Sequence, residues 1–187
     1  GIDVGGTKCL GVVLDDDGAI AATVRRDTSR RPDELIDSLA AMAAELGPYD
    51  SLGVGVPGLV TRGGVLRAAP HLIDVAELDV AARLADRLGH RVEVDNDATC
   101  ALVAEWDRGA ARGCSDVVAV TLGTGIGGGI VADGRLVRGV NGFAGEFGHM
   151  VVSPDGHPCP CGRRGCWERY ASGGALGDQA RAAVAGR

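Results

Sequence analysis

Two glycine-rich turns constrain this chain more than any other feature. The first, Asp3-Val4-Gly5-Gly6-Thr7-Lys8, separates apolar runs at residues 2–4 and 9–14. The second, Leu122-Gly123-Thr124-Gly125-Ile126-Gly127-Gly128-Gly129, separates runs at 116–122 and 128–132. Each second run leads into an Asp-Gly pair, Asp17-Gly18 or Asp133-Gly134, and then a third strand-like run, 19–24 or 135–137. Asp-Gly between such runs signals a two-residue hairpin, whose central residues need positive φ. The same strand, turn, strand, hairpin order found twice predicts two similar α/β lobes facing each other across a cleft. The boundary is expected near residues 112–115, giving lobes 1–113 and 114–187.

Helical segments alternate with further strands. Pro32 opens a helix on which Leu35, Leu39, Met42 and Leu46 share one face, and Gly47-Pro48 stops it. Residues 51–56 read as a strand ending at Pro57-Gly58, 75–88 as a helix through Val80, Leu84 and Leu88, and 91–94 as a strand. Asn96 and Asp97 then precede a helix over 98–111, and a last helix is expected over 172–185. With 187 residues and 45% hydrophobic content, the chain can bury a substantial core.

Composition excludes several classes. A net charge of -6 argues against non-specific binding to a phosphate backbone, and 3% aromatic content leaves no stacking platform for single-stranded nucleic acid. No run approaches the roughly 18 apolar residues of a membrane-spanning helix. The glycines instead gather at turns, where absent side chains let backbone N–H groups approach an anion. Neither turn is a Walker loop, since Gly-x-x-x-x-Gly-Lys-Ser/Thr does not occur. Gly123-x-Gly125-x-x-Gly128 matches the dinucleotide fingerprint by letter, but a strand follows it rather than a helix, so the Rossmann reading fails on context.

A second kind of chemistry occupies residues 146–168. His149, Cys159, Cys161 and Cys166 offer one imidazole and three thiols, the N and S donors of a closed four-ligand zinc site. The competing reading is a disulfide framework, since six cysteines is an even number. Cys159 and Cys161 are too close in sequence to pair well, and no charged region followed by an apolar run marks secretion, so a reduced, cytoplasmic setting is expected. Cys9, Cys100 and Cys114 stand in apolar surroundings and read as small core residues.

Four motifs together resemble the ROK family of repressors and sugar kinases, most closely its zinc-containing glucokinases. They are Asp-x-Gly-Gly-Thr-Lys at 3–8, Asn96-Asp97-Ala98, the turn at 122–129, and Asn141-Gly142-x-Ala144-Gly145-Glu146-x-Gly148-His149 running on to Cys161-Gly162-x-x-Gly165-Cys166-x-Glu168. The resemblance covers essentially the whole chain and implies the actin-like ATPase (ribonuclease H-like) α/β fold, with a second lobe longer than residues 114–187 supply. It implies ATP with Mg2+ as donor and a hexose as acceptor, with Asp97 as the general base that takes the hydroxyl proton. Gly58, Asn96, Glu146, His149 and Glu168 would join Asp97 around the sugar. Asp3, Gly5, Gly6, Thr7, Lys8, Gly123, Thr124 and Gly125 would serve the phosphates, Asp3 near the metal ion. A structural Zn2+ on His149, Cys159, Cys161 and Cys166 would order the sugar-reading groups. Homodimers or homotetramers are a family expectation.

Other readings compete with these. Asp97 stands where a helix N-cap is expected, a place that favours Asp on structural grounds alone. A repressor of the same family would carry a DNA-binding segment ahead of the first glycine turn. A zinc hydrolase needs an open metal position, which the four-ligand set does not offer. Glucose is the favoured acceptor, with N-acetylmannosamine, N-acetylglucosamine and fructose as alternatives.

Overall fold

The computed structural model describes residues 1–69, 72 and 77–185. The chain divides into two compact units, Gly1–Cys100 with Gly139–Phe143, and Ala101–Arg138 with Ala144–Arg187. The first contains, in order, β1 (Ile2–Val4), β2 (Lys8–Leu14), β3 (Ile20–Asp27), α1 (Pro32–Glu45), β4 (Gly53–Val56), β5 (Leu59–Val60), β6 (Val65–Ala68), β7 (Leu78–Asp79), α2 (Val80–Leu88) and β8 (Glu93–Asn96). Its main sheet has the order β3-β2-β1-β4-β8. The first three strands are an antiparallel meander, whereas β4 pairs parallel to β1 and β8 parallel to β4.

Local chemistry explains the helices. Pro at the first turn of α1 has no N–H to leave unpaired, and Asp33 and Glu34 there complement the positive end of the helix dipole. Its apolar face, Leu35, Ile36, Leu39, Met42 and Ala43, is buried in the unit's core with Val4, Val54, Val56 and Leu84. Asp79 caps α2 by accepting the Ala82 N–H at 2.9 Å, and Gly89 closes it in the left-handed conformation at φ 75°. The helix expected over 75–88 therefore starts only at Val80, and Val75 and Ala76 lie outside the described residues. Leu78 and Asp79 instead pair with Leu66 and Val65 in a small sheet, β5-β6-β7, that two-residue strands do not announce in a sequence.

Helix α3 (Asp97–Asp107) carries the chain into the second unit, where β9 (Val117–Leu122), β10 (Ile126–Ala132) and β11 (Arg135–Leu136) form a second antiparallel meander. A 3-10 turn at Phe147–His149 and helices α4 (Glu168–Ala171) and α5 (Gly173–Ala185) follow. Helix α3 ends before the expected residue 111 because the Glu105 carboxylate accepts the Ala110 N–H at 2.8 Å, diverting the backbone at Gly109. Both glycine turns occupy the first bend of a three-stranded meander, one closed by the Val4–Cys9 pair and the other by Leu122–Ile126.

The two units differ in their cores. The contiguous apolar cluster runs from Ile2 to Val94 and lies wholly in the first unit. Among the described residues of the second, the buried apolar ones are Leu102, Ile126, Val131, Cys159, Cys166 and Ala175. Of the cysteines expected in the core, Cys9 is buried, but Cys100 and Cys114 are exposed. Cys100 lies outside the apolar cluster, on α3, and Cys114 in the turn after it, so apolar neighbours in sequence did not become neighbours in space. Among the described residues no helix is long and apolar enough to cross a membrane.

Candidate active site and metal cluster

The first unit places its candidate residues at the carboxyl ends of its three parallel strands, where open α/β sheets bind ligands. Gly5 follows β1, Gly58 follows β4 by two residues, and Asn96 ends β8 with Asp97 next. The first turn is tight, with the Gly5 N–H donating to the Lys8 carbonyl at 2.9 Å, and it leaves Gly6, Thr7 and Lys8 exposed. Gly58 has φ 116°, and a Cβ there would lie 2.2 Å from the Ala68 carbonyl oxygen, so only glycine fits the bend.

A residue that the sequence reading missed holds the first turn in shape. Thr28, just beyond β3, donates its N–H to the Thr7 carbonyl at 2.9 Å and its hydroxyl to the Gly5 carbonyl at 2.8 Å. The buried Cys9 thiol lies 3.4 Å from the same hydroxyl oxygen. Thr28→Val keeps the shape but leaves the Gly5 carbonyl without its partner. We expect it to speed amide exchange at Gly5 and Thr28 about three- to tenfold through roughly 1 kcal/mol of lost hydrogen bonding, with Thr28→Ser restoring the native value. Hydrogen-exchange measurements on the three proteins check this.

Asn96 takes the capping place for which Asp97 competed. Its Oδ1 accepts the Thr99 N–H at 2.9 Å, and its Nδ2 donates to the Gly58 carbonyl at 3.1 Å, tying the two strand ends together. Asp97 becomes the first residue of α3, with Oδ1 accepting the adjacent Ala98 N–H at 2.8 Å. Desolvation raises the Asp97 carboxyl above its ordinary value despite the hydrogen bonds it accepts. Asp3 is also raised, first by desolvation and then by the Asp97 charge. Two carboxylates that repel in this way suit a divalent cation beside Asp3, which would relieve the repulsion.

The second unit collects the remaining candidates. Within its glycine turn the Gly123 N–H donates to the Gly125 carbonyl at 3.0 Å, and Ile126, at the start of β10, donates to Glu168 Oε2 at 2.8 Å. The 3-10 turn brings Glu146 and His149 together, with Nε2 3.9 Å from Glu146 Oε2. The other ring nitrogen, Nδ1, lies 3.6 Å from Cys159 Sγ, and Cys161 Sγ lies 3.6 Å from Cys166 Sγ. Pairing of Val151 with Cys166 and of Pro158 with Arg164 closes this loop on itself.

The ligand atoms of His149, Cys159, Cys161 and Cys166 all lie within 4.8 Å of one another. A tetrahedral zinc with bonds of about 2.0–2.3 Å requires ligand-to-ligand edges of about 3.5–3.8 Å. The 3.6 Å separations fit such edges and not a disulfide, so the donor set suits zinc. Protonation must be displaced for the metal to bind. Burial pushes the Cys166 thiol up to about 12, with the Cys161 and Cys159 thiols adding to the effect, whereas the Arg163 N–H lowers Cys161. All four donors come from protein, a closed set of the kind that structural zinc sites use.

The sequence profile of the ROK family matches residues 1–186. A glucokinase from Streptomyces coelicolor is 40% identical over 180 residues, covering 94% of this chain and 56% of the relative. A xylose repressor from Bacillus subtilis is 34% identical over 185 residues, covering 94% of this chain and 48% of the repressor. Among solved structures, a ROK family glucokinase from Streptomyces griseus in complex with glucose and AMPPNP superposes with a TM-score of 0.90 at 39% identity, covering all of this chain and 61% of that one. The chain thus spans about half the length of the curated relatives it matches.

Proposed function

Because this chain belongs to the ROK family and has its actin-like α/β fold, we propose that it serves an ATP-dependent hexose kinase in which Asp97 is the general base. The observation that carries this reading is the state of Asp97. It follows the last strand of a parallel set, its capping duty is taken by Asn96, and desolvation raises its carboxyl, which strengthens it as a proton acceptor. Phosphoryl transfer has a loose transition state that depends on position and charge neutralisation, so one placed carboxylate, backbone donors and a divalent cation suffice.

Asp97 takes the proton of the attacking hydroxyl. Gly5, Gly6, Thr7 and Lys8, and on the second unit Gly123, Thr124 and Gly125, are assigned to the phosphates of ATP. Asp3 would hold Mg2+, which supplies charge neutralisation at the phosphates when bound. Gly58, Asn96, Glu146, His149 and Glu168 are assigned to the sugar with Asp97, and Zn2+ on His149, Cys159, Cys161 and Cys166 to ordering them. We assign the functional lobes to residues 1–113 and 114–187, a cytoplasmic setting, and a homodimer or homotetramer.

Glucose phosphorylated at its 6-hydroxyl is the favoured acceptor, supported by the likeness to glucokinases. A coupled assay of the intact protein with ATP and glucose, N-acetylmannosamine, N-acetylglucosamine or fructose tests the choice. Turnover on an N-acetyl sugar equal to or above that on glucose sinks it. The likeness to a xylose repressor supports a second reading, a sugar-responsive DNA-binding protein. Sugar-relieved binding to a specific operator, without sugar-dependent ATP consumption, is the outcome that favours it.

A further inference from the structure

We propose that Glu168 is a positioning residue of the second glycine turn, and that the run from Cys166 to Gly174 carries metal occupancy to that turn; only the naming of the turn as a phosphate site rests on the kinase reading. Glu168 opens α4 two residues after Cys166, and its Oε2 accepts the Ile126 N–H across 42 positions of sequence. Farther along the same run, the Gly173 N–H donates to the Gly123 carbonyl at 2.8 Å, and the Gly174 N–H to the Thr124 carbonyl at 3.2 Å. A trans peptide carries its N–H opposite its C=O. Fixing those two carbonyls on the start of α5 therefore aims the Thr124 and Gly125 N–H groups away from the helix, as donors to an anion.

Sterics tie both metal-bearing segments to the turn. A Cβ on Gly125 would lie 2.5 Å from Glu168 Oε2, and one on Gly173 or Gly174 would lie 2.9 or 3.0 Å from the carbonyl oxygen it serves. Gly148, next to the ligand His149, packs so closely that its Cβ would lie 2.4 Å from the Ile126 carbonyl oxygen and 3.3 Å from Glu168 Oε2. Ile126 is thus gripped by two segments, one adjacent to His149 and one two residues from Cys166. A cation that fixes His149 relative to Cys166 fixes both halves of the grip, and with it the turn.

The test is amide hydrogen exchange at Ile126 in the intact, zinc-loaded protein, together with binding of a non-hydrolysable ATP analogue without sugar. Glu168→Ala should speed Ile126 exchange about 10- to 100-fold and weaken the analogue about tenfold, as expected for a lost hydrogen bond to a charged acceptor. Glu168→Gln, which retains an acceptor oxygen, should stay within about threefold of the native protein on both readouts. Gly125→Ala, whose methyl crowds Oε2, should reproduce the faster exchange with the carboxylate still present. Removing the zinc should speed the same amide in the native protein and add little in Glu168→Ala, because both changes break one linkage. Unaltered Ile126 exchange in folded Glu168→Ala or Gly125→Ala, or a chelation effect of equal size in native and Glu168→Ala proteins, overturns the proposal. Exchange requires no substrate, so a native protein that binds no nucleotide defeats the kinase reading alone.

Discussion

Asp97→Asn is expected to lower kcat about 10²- to 10⁴-fold, the usual contribution of a general base, while leaving sugar binding measurable and raising the thermal midpoint of the protein. The gain in stability follows from the direction of the pKa shift. The folded carboxyl is raised above its ordinary 3.8, chiefly by desolvation, so between that value and the raised one the folded state binds more protons than the unfolded state. Stability therefore falls as pH rises through that window. Above it, the ionised Asp97 is a constant penalty that the neutral amide does not carry. The amide still offers an oxygen to the Ala98 N–H, so the start of α3 keeps its bond. Melting curves of the two proteins should differ at neutral pH and converge below about pH 4, where both side chains are neutral.

Asp3 is raised in the same direction, partly by the Asp97 charge, so part of its shift should vanish in Asp97→Asn. On the kinetic side, kcat/KM should fall with acid at a pH above the ordinary carboxylate range. Turnover of Asp97→Asn within tenfold of native would end the assignment of Asp97 as base. A lowered melting temperature would show that desolvation is not the dominant influence on this carboxyl.

What could be read from the chain and what could not follows from the range of the interactions involved. The glycine turns are legible because the requirement is local: the backbone must bend tightly, and only glycine meets that cheaply. The His149, Cys159, Cys161 and Cys166 cluster is legible for a related reason, since all its donors lie within one loop whose two isolated bridges fold it on itself. Asn96 and Asp97 differ by one position, and which of them caps α3 depends on where β8 stops, a boundary that periodicity does not fix. Thr28 carried no signal, and the Cys166-x-Glu168 motif gave none of the contact between Glu168 and the second glycine turn. Their partners are 23 and 42 residues away, and a hydroxyl or a carboxylate on an irregular segment looks like ordinary surface until the fold brings its acceptor or donor to it. The β5-β6-β7 sheet went unforeseen because its strands of two to four residues are too short to show alternation.

Removal of zinc is expected to have the largest effect on stability, and to have it in one unit. The first unit has a continuous apolar cluster of its own, from Ile2 to Val94. In the second, two of the buried apolar residues are themselves cluster cysteines, Cys159 and Cys166. The loop that bears these donors is closed on itself by two isolated bridges, and a metal held by four protein donors would staple it. Without the cation, three thiols and an imidazole are left crowded, with burial pushing the Cys166 thiol up. The intact protein should contain one zinc per chain. Chelation should open residues 144–185 to protease and hydrogen exchange at a cost above about 3 kcal/mol, well below the roughly 10–16 kcal/mol of zinc-finger peptides because part of the fold persists. Residues 1–69 and 77–100 should stay protected. Cys161→Ser should weaken the metal site and lower sugar affinity and stability together, since His149 and Glu168 stand on the segments that the metal joins. Complete zinc loss that leaves both sugar affinity and the protection of 144–185 intact would refute the ordering role.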